Sequence, residues 1–367
     1  MIIGIDTYFL SMKNNTGIGT FVLNTILGIS KIDHVNEYIL FTPAIVHHQF
    51  AEEILKNKNF KIVIVKSLFP SRRLWLQSLN LRKVILDNNT DVFWGGGEYI
   101  PVLLPARVKT CATIHDVVFK VLPKTAAFTD KIFYNFLLPF SLHKTDSLLT
   151  ISNVSKKEIV KYLKIEPEKI KVIYDGIDLK KFIPDEKQIK EKFILFVGTL
   201  QPRKNMISLV EAFILLADKI DHDLVVVGAT GWKSSDLSEK ILSLPDSLSK
   251  RIHFKGYVSD EELVELYQTA DLFVAPSLHE GFGLIIAEAV ACGTPVLTTR
   301  RGAIPEVFED IPEYADPLSP VDISDKIISI LSDPVKMRQM SVKGLDFIRK
   351  YDINNVSRQY IDFFNTL

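Results

Sequence analysis

Leu272-Phe273-Val274-Ala275-Pro276-Ser277-Leu278-His279-Glu280-Gly281-Phe282-Gly283-Leu284-Ile285-Ile286-Ala287-Glu288 changes character halfway along. Its first four residues are a short apolar run closed by a proline, as in a buried strand. Its last five are apolar residues and a glutamate that read as the opening of an Ala-rich helix. Between the two, Gly281 and Gly283 let backbone N–H groups approach a ligand, and a helix start adds about half a positive charge. Strand, glycine loop and helix together make a cradle for an anion. Glu280 and Glu288 would repel a phosphate, so they are better read as acceptors for sugar hydroxyls. A capped loop with a glutamate near a helix start would explain either glutamate alone, but explains the pair less well.

Working outward, the same alternation of apolar runs and helical periods occupies the whole chain, the pattern of parallel sheets covered by helices. Strands are expected over residues 2–5, 38–41, 61–65, 92–94, 110–114, 147–151 and 171–173, and again over 193–197, 223–227, 252–254, 272–275 and 295–298. Residues 174–188, with Gly176, Pro184 and mixed charges, read as a linker. The fold class is therefore α/β, two doubly wound Rossmann-like domains, the first over residues 1–180 and the second over 189–350. An amphipathic helix at 354–364 follows, inside a terminal segment of 351–367. Such sheets bind ligands beyond the carboxyl ends of their strands, so two of them facing each other would enclose a cleft.

Three further stretches sit at such loop positions. Gly198-Thr199-Leu200-Gln201-Pro202-Arg203-Lys204-Asn205 follows a strand, and Arg203 with Lys204 supplies the charge that a diphosphate needs, Arg203 being able to grip two oxygens. The alternative is a solvated basic turn with Asn205 as helix cap. Thr113-Ile114-His115-Asp116 ends another strand; His115 could donate to a sugar hydroxyl or a phosphate with Asp116 orienting it, or Asp116 could simply cap a turn. Asn15-Thr16-Gly17-Ile18-Gly19-Thr20 imitates a dinucleotide fingerprint, but Val22 stands at the third glycine position, which disfavours a nicotinamide enzyme.

Composition narrows the classes. The 44 Lys+Arg balance 44 Asp+Glu for a net charge of 0, so no global field draws the chain to nucleic acid. Cys111 and Cys292 lie in apolar segments, which argues against disulfides or a thiolate metal site and fits a reducing cytosol. No Walker loop, zincin helix, nucleophile elbow or metal-binding cluster occurs, so no metal is expected and a diphosphate would be met by Arg203, Lys204 and backbone amides. The first residues read as a strand rather than a leader, and the apolar run at 132–142 is interrupted by Asn135, Pro139 and Ser141 and is too short to span a bilayer. A cytoplasmic protein is expected, at most peripheral on the inner face of the membrane. The one stretch suited to such contact holds Arg72, Arg73, Trp75, Arg82 and Lys83, which as an interfacial helix would touch lipid and as an ordinary helix would bury its leucines.

Taken together, Gly17-Ile18-Gly19, His115-Asp116, Tyr174-Asp175-Gly176-Ile177-Asp178, Gly198 to Asn205, Phe254-Lys255-Gly256-Tyr257-Val258, Glu280 with Glu288 and Gly293-Thr294-Pro295-Val296 resemble the retaining nucleotide-sugar glycosyltransferases of family 4. The resemblance implies the GT-B fold, with the final helix crossing back to the first domain. It implies that Glu288 bonds the ribose hydroxyls, and that Glu280 with the amides of Gly281, Phe282, Gly283 and the neighbouring Leu284 holds the donor sugar and its diphosphate. It implies that Arg203 and Lys204, beside Gly198, stabilise the leaving diphosphate, and that His115 contacts the transferred sugar with Asp116 beside it. Gly17, Ile18 and Gly19 would cover the diphosphate from the opposite domain, and Tyr257 and Val258 would touch the base. Retention in this family is ascribed to front-face attack, the departing phosphate taking the acceptor's proton, and the nucleotide sugar is a substrate, so no cofactor is implied.

Thr199, Asp175 and Ile285 depart from the family's frequent Arg, Asn and Pro. The Gly-Ile-Gly and Pro-Arg-Lys-Asn loops resemble surface-polysaccharide mannosyltransferases, which makes GDP-mannose the first donor expected and a glycan or lipid-linked glycan the acceptor. The alternatives are a nucleotide-sugar epimerase of similar architecture and an inactive scaffold in a glycan assembly complex. Intact His115, Arg203, Lys204, Glu280 and Glu288 weigh against the scaffold.

Overall fold

Apolar runs without polar alternation suit strands buried on both faces, and that is where the computed structural model places them. It describes residues 1–12, 17–46, 48–67, 71–123, 138–185, 191–229 and 235–367. Asn15 and Thr16, residues 132–137 of the apolar run and residues 186–188 of the linker lie outside the described residues. The chain divides into two units, one of Met1–Gly176 with Tyr351–Leu367 and one of Ile177–Lys350.

The first unit is built on β1 (Ile2–Asp6), β2 (Glu37–Thr42), β3 (Phe60–Ile64), β4 (Val92–Gly95), β5 (Lys109–Ile114), β6 (Ser147–Thr150) and β7 (Ile170–Val172). They form a parallel sheet in the order β3-β2-β1-β4-β5-β6-β7. The second holds β8 (Glu191–Val197), β9 (Asp223–Val227), β10 (Ile252–Gly256), β11 (Ala270–Val274), β12 (Val296–Thr299) and β13 (Glu313–Ala315), again parallel, in the order β10-β9-β8-β11-β12-β13. Every expected strand is present, its ends coinciding with or shifted by at most two residues from those expected. The edge strand β13 was not expected, because three residues are too few to show a period.

In each sheet the order reverses once, at β1/β4 and at β8/β11, and helices leaving opposite faces open a crevice there. Packing fixes both crevices. Trp75, Phe93, Ile114 and Leu148 belong to the core of the first unit, and Ile194, Phe196, Phe213, Leu272 and Val274 to that of the second.

The segment suited to a membrane contact behaves as an ordinary domain segment. Helices Arg72–Leu76 and Leu79–Asp87 are separate, and Trp75 is 0% exposed with its indole N–H donating to Val65 O at 2.8 Å. Arg72 is ion-paired with buried Asp6, and Arg73 lies over the ring of Tyr99 at 5.8 Å. Burial of the indole and pairing of the guanidinium remove Trp75 and Arg72 from any lipid surface, correcting that expectation. Among the described residues no helix is long and apolar enough to cross a membrane.

The terminal helix Ile353–Phe364 belongs to the first unit and packs on Gly17–Ile32. Tyr360 and Phe364 stand 5.5 and 5.7 Å from Trp94, and Trp94 lies 6.1 Å from Phe21. The helices approach closely because Gly28 has no side chain: a Cβ there would lie 2.1 Å from Ser357 Oγ and 2.9 Å from Ile353 Cγ1. In an uncrowded helix Gly→Ala stabilises by up to ~1 kcal/mol. Here Gly28→Ala is expected to destabilise by ~1–3 kcal/mol through overpacking, and Ser357→Ala, which removes the nearest atom, should recover part of the loss. Urea unfolding of the two single variants and the double variant measures both.

Candidate functional site

The site of the second unit is assembled where β8 and β11 adjoin. Each strand ends in a loop, and the two loops are joined by backbone and side-chain bonds before any charge is considered. Leu278 N–H donates to Arg203 O at 2.7 Å. Asn205, at φ 58°, spends its side-chain amide on Pro276 O (3.1 Å) and Pro317 O (2.7 Å) and accepts from Ser208 Oγ (2.9 Å). It is therefore a staple between loops, and its side chain does not cap the helix that follows.

On this frame the loops converge their charges. Arg203 Nη1 donates to Glu280 Oε2 at 2.8 Å and to His279 O at 3.3 Å, and Lys204 Nζ donates to Glu280 Oε1 at 2.7 Å. Ser277 Oγ, fully buried, donates to the same Oε1 at 2.7 Å. Burial pushes the Glu280 carboxyl up, but Lys204 and then Arg203, with the bonds from Lys204 and Ser277, outweigh it and hold the group at about 2. Glu280 is thus an ionised acceptor at any working pH. Its backbone is fixed as well: Ala303 N–H donates to Glu280 O at 2.8 Å, and Gly302, at φ +57°, lies so close that a Cβ would sit 2.4 Å from that oxygen.

Past Glu280, Phe282 turns its ring inward, 2% exposed and 6.1 Å from Phe308. The buried Gly281-Phe282-Gly283 backbone leads into the helix Leu284–Ala291, whose first N–H groups have no partner within the helix. Leu284 is half-buried at its start. Glu288 lies in this helix, 5% exposed, and accepts from Tyr267 OH at 2.9 Å. Burial pushes its carboxyl up to about 7, with the Tyr267 bond and the charges of Lys181 and Lys204 opposing and that of Asp260 assisting.

Gly198 follows β8, donates its N–H to Val227 O at 2.9 Å and lies beneath the stem of Lys204. Tyr257, 58% exposed, and half-buried Val258 follow β10, two strands or roughly 10 Å from β8 at the same end of the sheet. Arg203, Lys204, Glu280 and Glu288 are therefore brought together. Ser277, Tyr267, Gly302 and the stapling role of Asn205 were missed: Tyr267 has no sequence relation to Glu288, whereas Ser277, three residues before Glu280 in an apolar context, carried a weak signal.

The first unit presents a second group at its own reversal. His115 follows β5 and bonds Gly96 O at 3.2 Å through Nε2; a carbonyl only accepts, so Nε2 carries the hydrogen and Nδ1 is left as an acceptor. Burial chiefly, with Arg72 assisting, pulls its pKa down against the Gly96 bond and Asp116, so the ring is neutral at pH 7. The ring meets Phe21 edge-on at 4.5 Å. Asp116 accepts from Val118 N–H at 3.0 Å, which is the turn-capping role. Gly17 and Ile18, exposed and half-buried, and buried Gly19 open the helix Gly17–Ile32.

Comparison with known proteins is consistent from end to end. Residues 16–181 match the model of Glycosyltransferase Family 4, and residues 180–345 that of Glycosyl transferases group 1. O-antigen chain mannosyltransferase B of Escherichia coli is 26% identical over 380 residues, covering 96% of each chain. O-antigen chain mannosyltransferase RfbU of Salmonella typhimurium is 29% identical over 280 residues, covering 76% of this chain and 75% of that one. The crystal structure of Anabaena HepE in complex with UDP and glucose superposes with a TM-score of 0.77 at 17% identity, covering 100% of both chains.

The raised carboxyl of Glu288 gives a pH signature. A carboxyl whose folded pKa exceeds its unfolded one stabilises the fold below the unfolded value and loses that contribution as pH rises. The gap between 4.5 and about 7 corresponds to roughly 3 kcal/mol lost across that window. Glu288→Gln should abolish this part of the decline, so the difference between variant and wild type in chemical denaturation should change by that amount from pH 4.5 to 7.5 and be flat outside it. With both halves of the chain matched and the sheets and loops arranged as described, the chain belongs to the family-4 glycosyltransferases of the GT-B fold.

Proposed function

We propose that the chain transfers a hexose, with retention of anomeric configuration and without a metal ion, from a nucleotide sugar to a hydroxyl of a growing glycan. The first donor proposed is GDP-mannose, and the proposed setting is surface-polysaccharide or lipopolysaccharide synthesis at the cytoplasmic side of the membrane. The observation that carries the reading is the convergence of Arg203 and Lys204 on Glu280 at the β8/β11 reversal. The names of the O-antigen mannosyltransferases support the choice of sugar.

Cleaving a glycosyl phosphate leaves negative charge on the diphosphate and positive charge on the sugar. Fixed donors aimed at the phosphate lower that barrier because they need no reorganisation when the charge appears. Arg203 and Lys204 have this role in the proposal, together with the amides of the Gly281-Phe282-Gly283 turn at the helix start. Glu280, ionised and acceptor-only, receives hydroxyls of the transferred sugar, and Glu288 receives those of the ribose. Tyr257 and Val258, farther along the same end of the sheet, are placed against the base. His115 offers Nδ1 to a sugar hydroxyl. Retention follows if the acceptor attacks from the face that the phosphate leaves, the phosphate taking its proton.

Thermal unfolding with GDP-, UDP-, dTDP- and ADP-sugars tests the donor. A ligand at a hundredfold excess over its dissociation constant stabilises by about 2.7 kcal/mol, and GDP-mannose should give the largest shift; no shift with any of them would overturn the reading. Lys204→Ala should lower kcat by about a hundredfold or more, the scale of losing one transition-state donor, whereas Glu288→Ala should act mainly on the donor KM. Steady-state kinetics separate the two, and NMR of the product reads its anomeric configuration.

A further inference from the structure

The crevice at the β1/β4 reversal contains an arginine held for a purpose that its ion pair does not exhaust. Arg72 donates Nε to Asp6 Oδ2 at 2.8 Å and Nη2 to the same oxygen. Asp6 closes β1, is fully buried, and spends its other oxygen on Tyr8 N–H at 3.0 Å. The guanidinium lies over Phe9, 4.7 Å from the ring centre, and packs on Gly97 so closely that a Cβ there would sit 2.9–3.1 Å from Nη2, Cζ and Nη1. The Arg72 side chain is 10% exposed, and Nη1 has no bond among the described residues; it is a solvent-accessible donor on an otherwise fixed guanidinium, open to a ligand acceptor. His115, whose ring senses the charge of Arg72, borders the same crevice through Gly96.

We propose that Arg72 Nη1 is a sugar-recognition donor, binding a hydroxyl of the acceptor glycan in the first unit. The identity of the ligand as acceptor rests on the transferase reading, in which the donor's groups belong to the second unit; the site itself does not. Charge selects the ligand class. Asp6 pairs with Arg72, His115 is neutral and Asp116 adds a carboxylate, so these described residues bring no net positive charge with which to hold a phosphate. A fork held by Asp6, Phe9 and Gly97 keeps its direction, which suits a neutral polyol whose hydroxyls must be met one by one.

Methyl α-D-mannopyranoside and inorganic phosphate, titrated separately into the full chain and followed by NMR, test the proposal without any donor present. Wild type should bind the glycoside and not phosphate. Arg72→Lys keeps a cation for Asp6 but cannot present Nη1, and should weaken the glycoside at least tenfold. Gly97→Ala, which displaces the guanidinium while retaining its pair, should do the same, with thermal unfolding confirming that both variants fold. Binding of phosphate instead of the glycoside, binding of neither, or equal glycoside affinity in wild type and both variants overturns the proposal. The transferase reading fails separately, by the absence of any stabilisation by nucleotide sugars.

Discussion

Two cations side by side in a loop that is mostly shielded from water must be given a carboxylate, and the architecture of the second unit follows from that requirement. Lys204 is 8% exposed and Arg203 stands next to it in sequence; without Glu280 the buried ammonium would lose its carboxylate, and breaking such a pair costs about 3–5 kcal/mol. Glu280 is delivered to them from the loop after β11, the strand that pairs with β8. Ser277 orients the carboxylate, Gly302 and Ala303 hold its backbone, and Asn205 fixes the spacing of the loops. The three charges sum to one positive charge, set before any substrate arrives. In the proposed reaction an incoming phosphate would exchange for part of the Glu280 pairing instead of entering an empty cationic hole.

Much of this was legible in the sequence because it depends on local pattern. The strands announced themselves as apolar runs, and the loops by glycine, proline and charge immediately after them, so Arg203, Lys204, Glu280 and Glu288 could be named from position alone. What stayed hidden depends on contacts between distant segments. Tyr267 is an unremarked tyrosine in a helix until it donates to Glu288, and Gly302 is one glycine among many until Glu280 packs against it. Arg72 was left between two readings because a basic segment carrying Trp75 has the composition of an interfacial helix as well as of an ordinary one. Composition does not reveal that Asp6, sixty-six residues away, claims the guanidinium, or that the indole belongs to the core.

The terminal helix shows how a packing constraint reaches a polar group. Gly28 permits Ile353–Phe364 to lie close on Gly17–Ile32, which brings Tyr360 and Phe364 against Trp94 and seats Phe21 between them and His115. The edge of Phe21 limits the tilt of the imidazole while Gly96 fixes its tautomer. A residue in the last turns of the chain thereby constrains a ring on β5's loop through aromatic contacts alone, with no hydrogen bond between them.

The two crevices differ in the chemistry they can accept, and charge explains the difference. The whole chain has no net charge, and in physiological salt a surface charge is felt over ~8 Å, so attraction of an anion is a property of each crevice separately. At β8/β11 two cations face one carboxylate, and helix-start amides add to the positive side. At β1/β4 Arg72 is cancelled by Asp6 and His115 is neutral. In the proposed reaction a diphosphate would gain from the second unit, while the described residues of the first unit's crevice offer directed hydrogen bonds at no net charge, the condition under which a neutral sugar competes with phosphate. On the proposed reading, the polarity of donor and acceptor would follow from which sheet reversal carries an unbalanced cation.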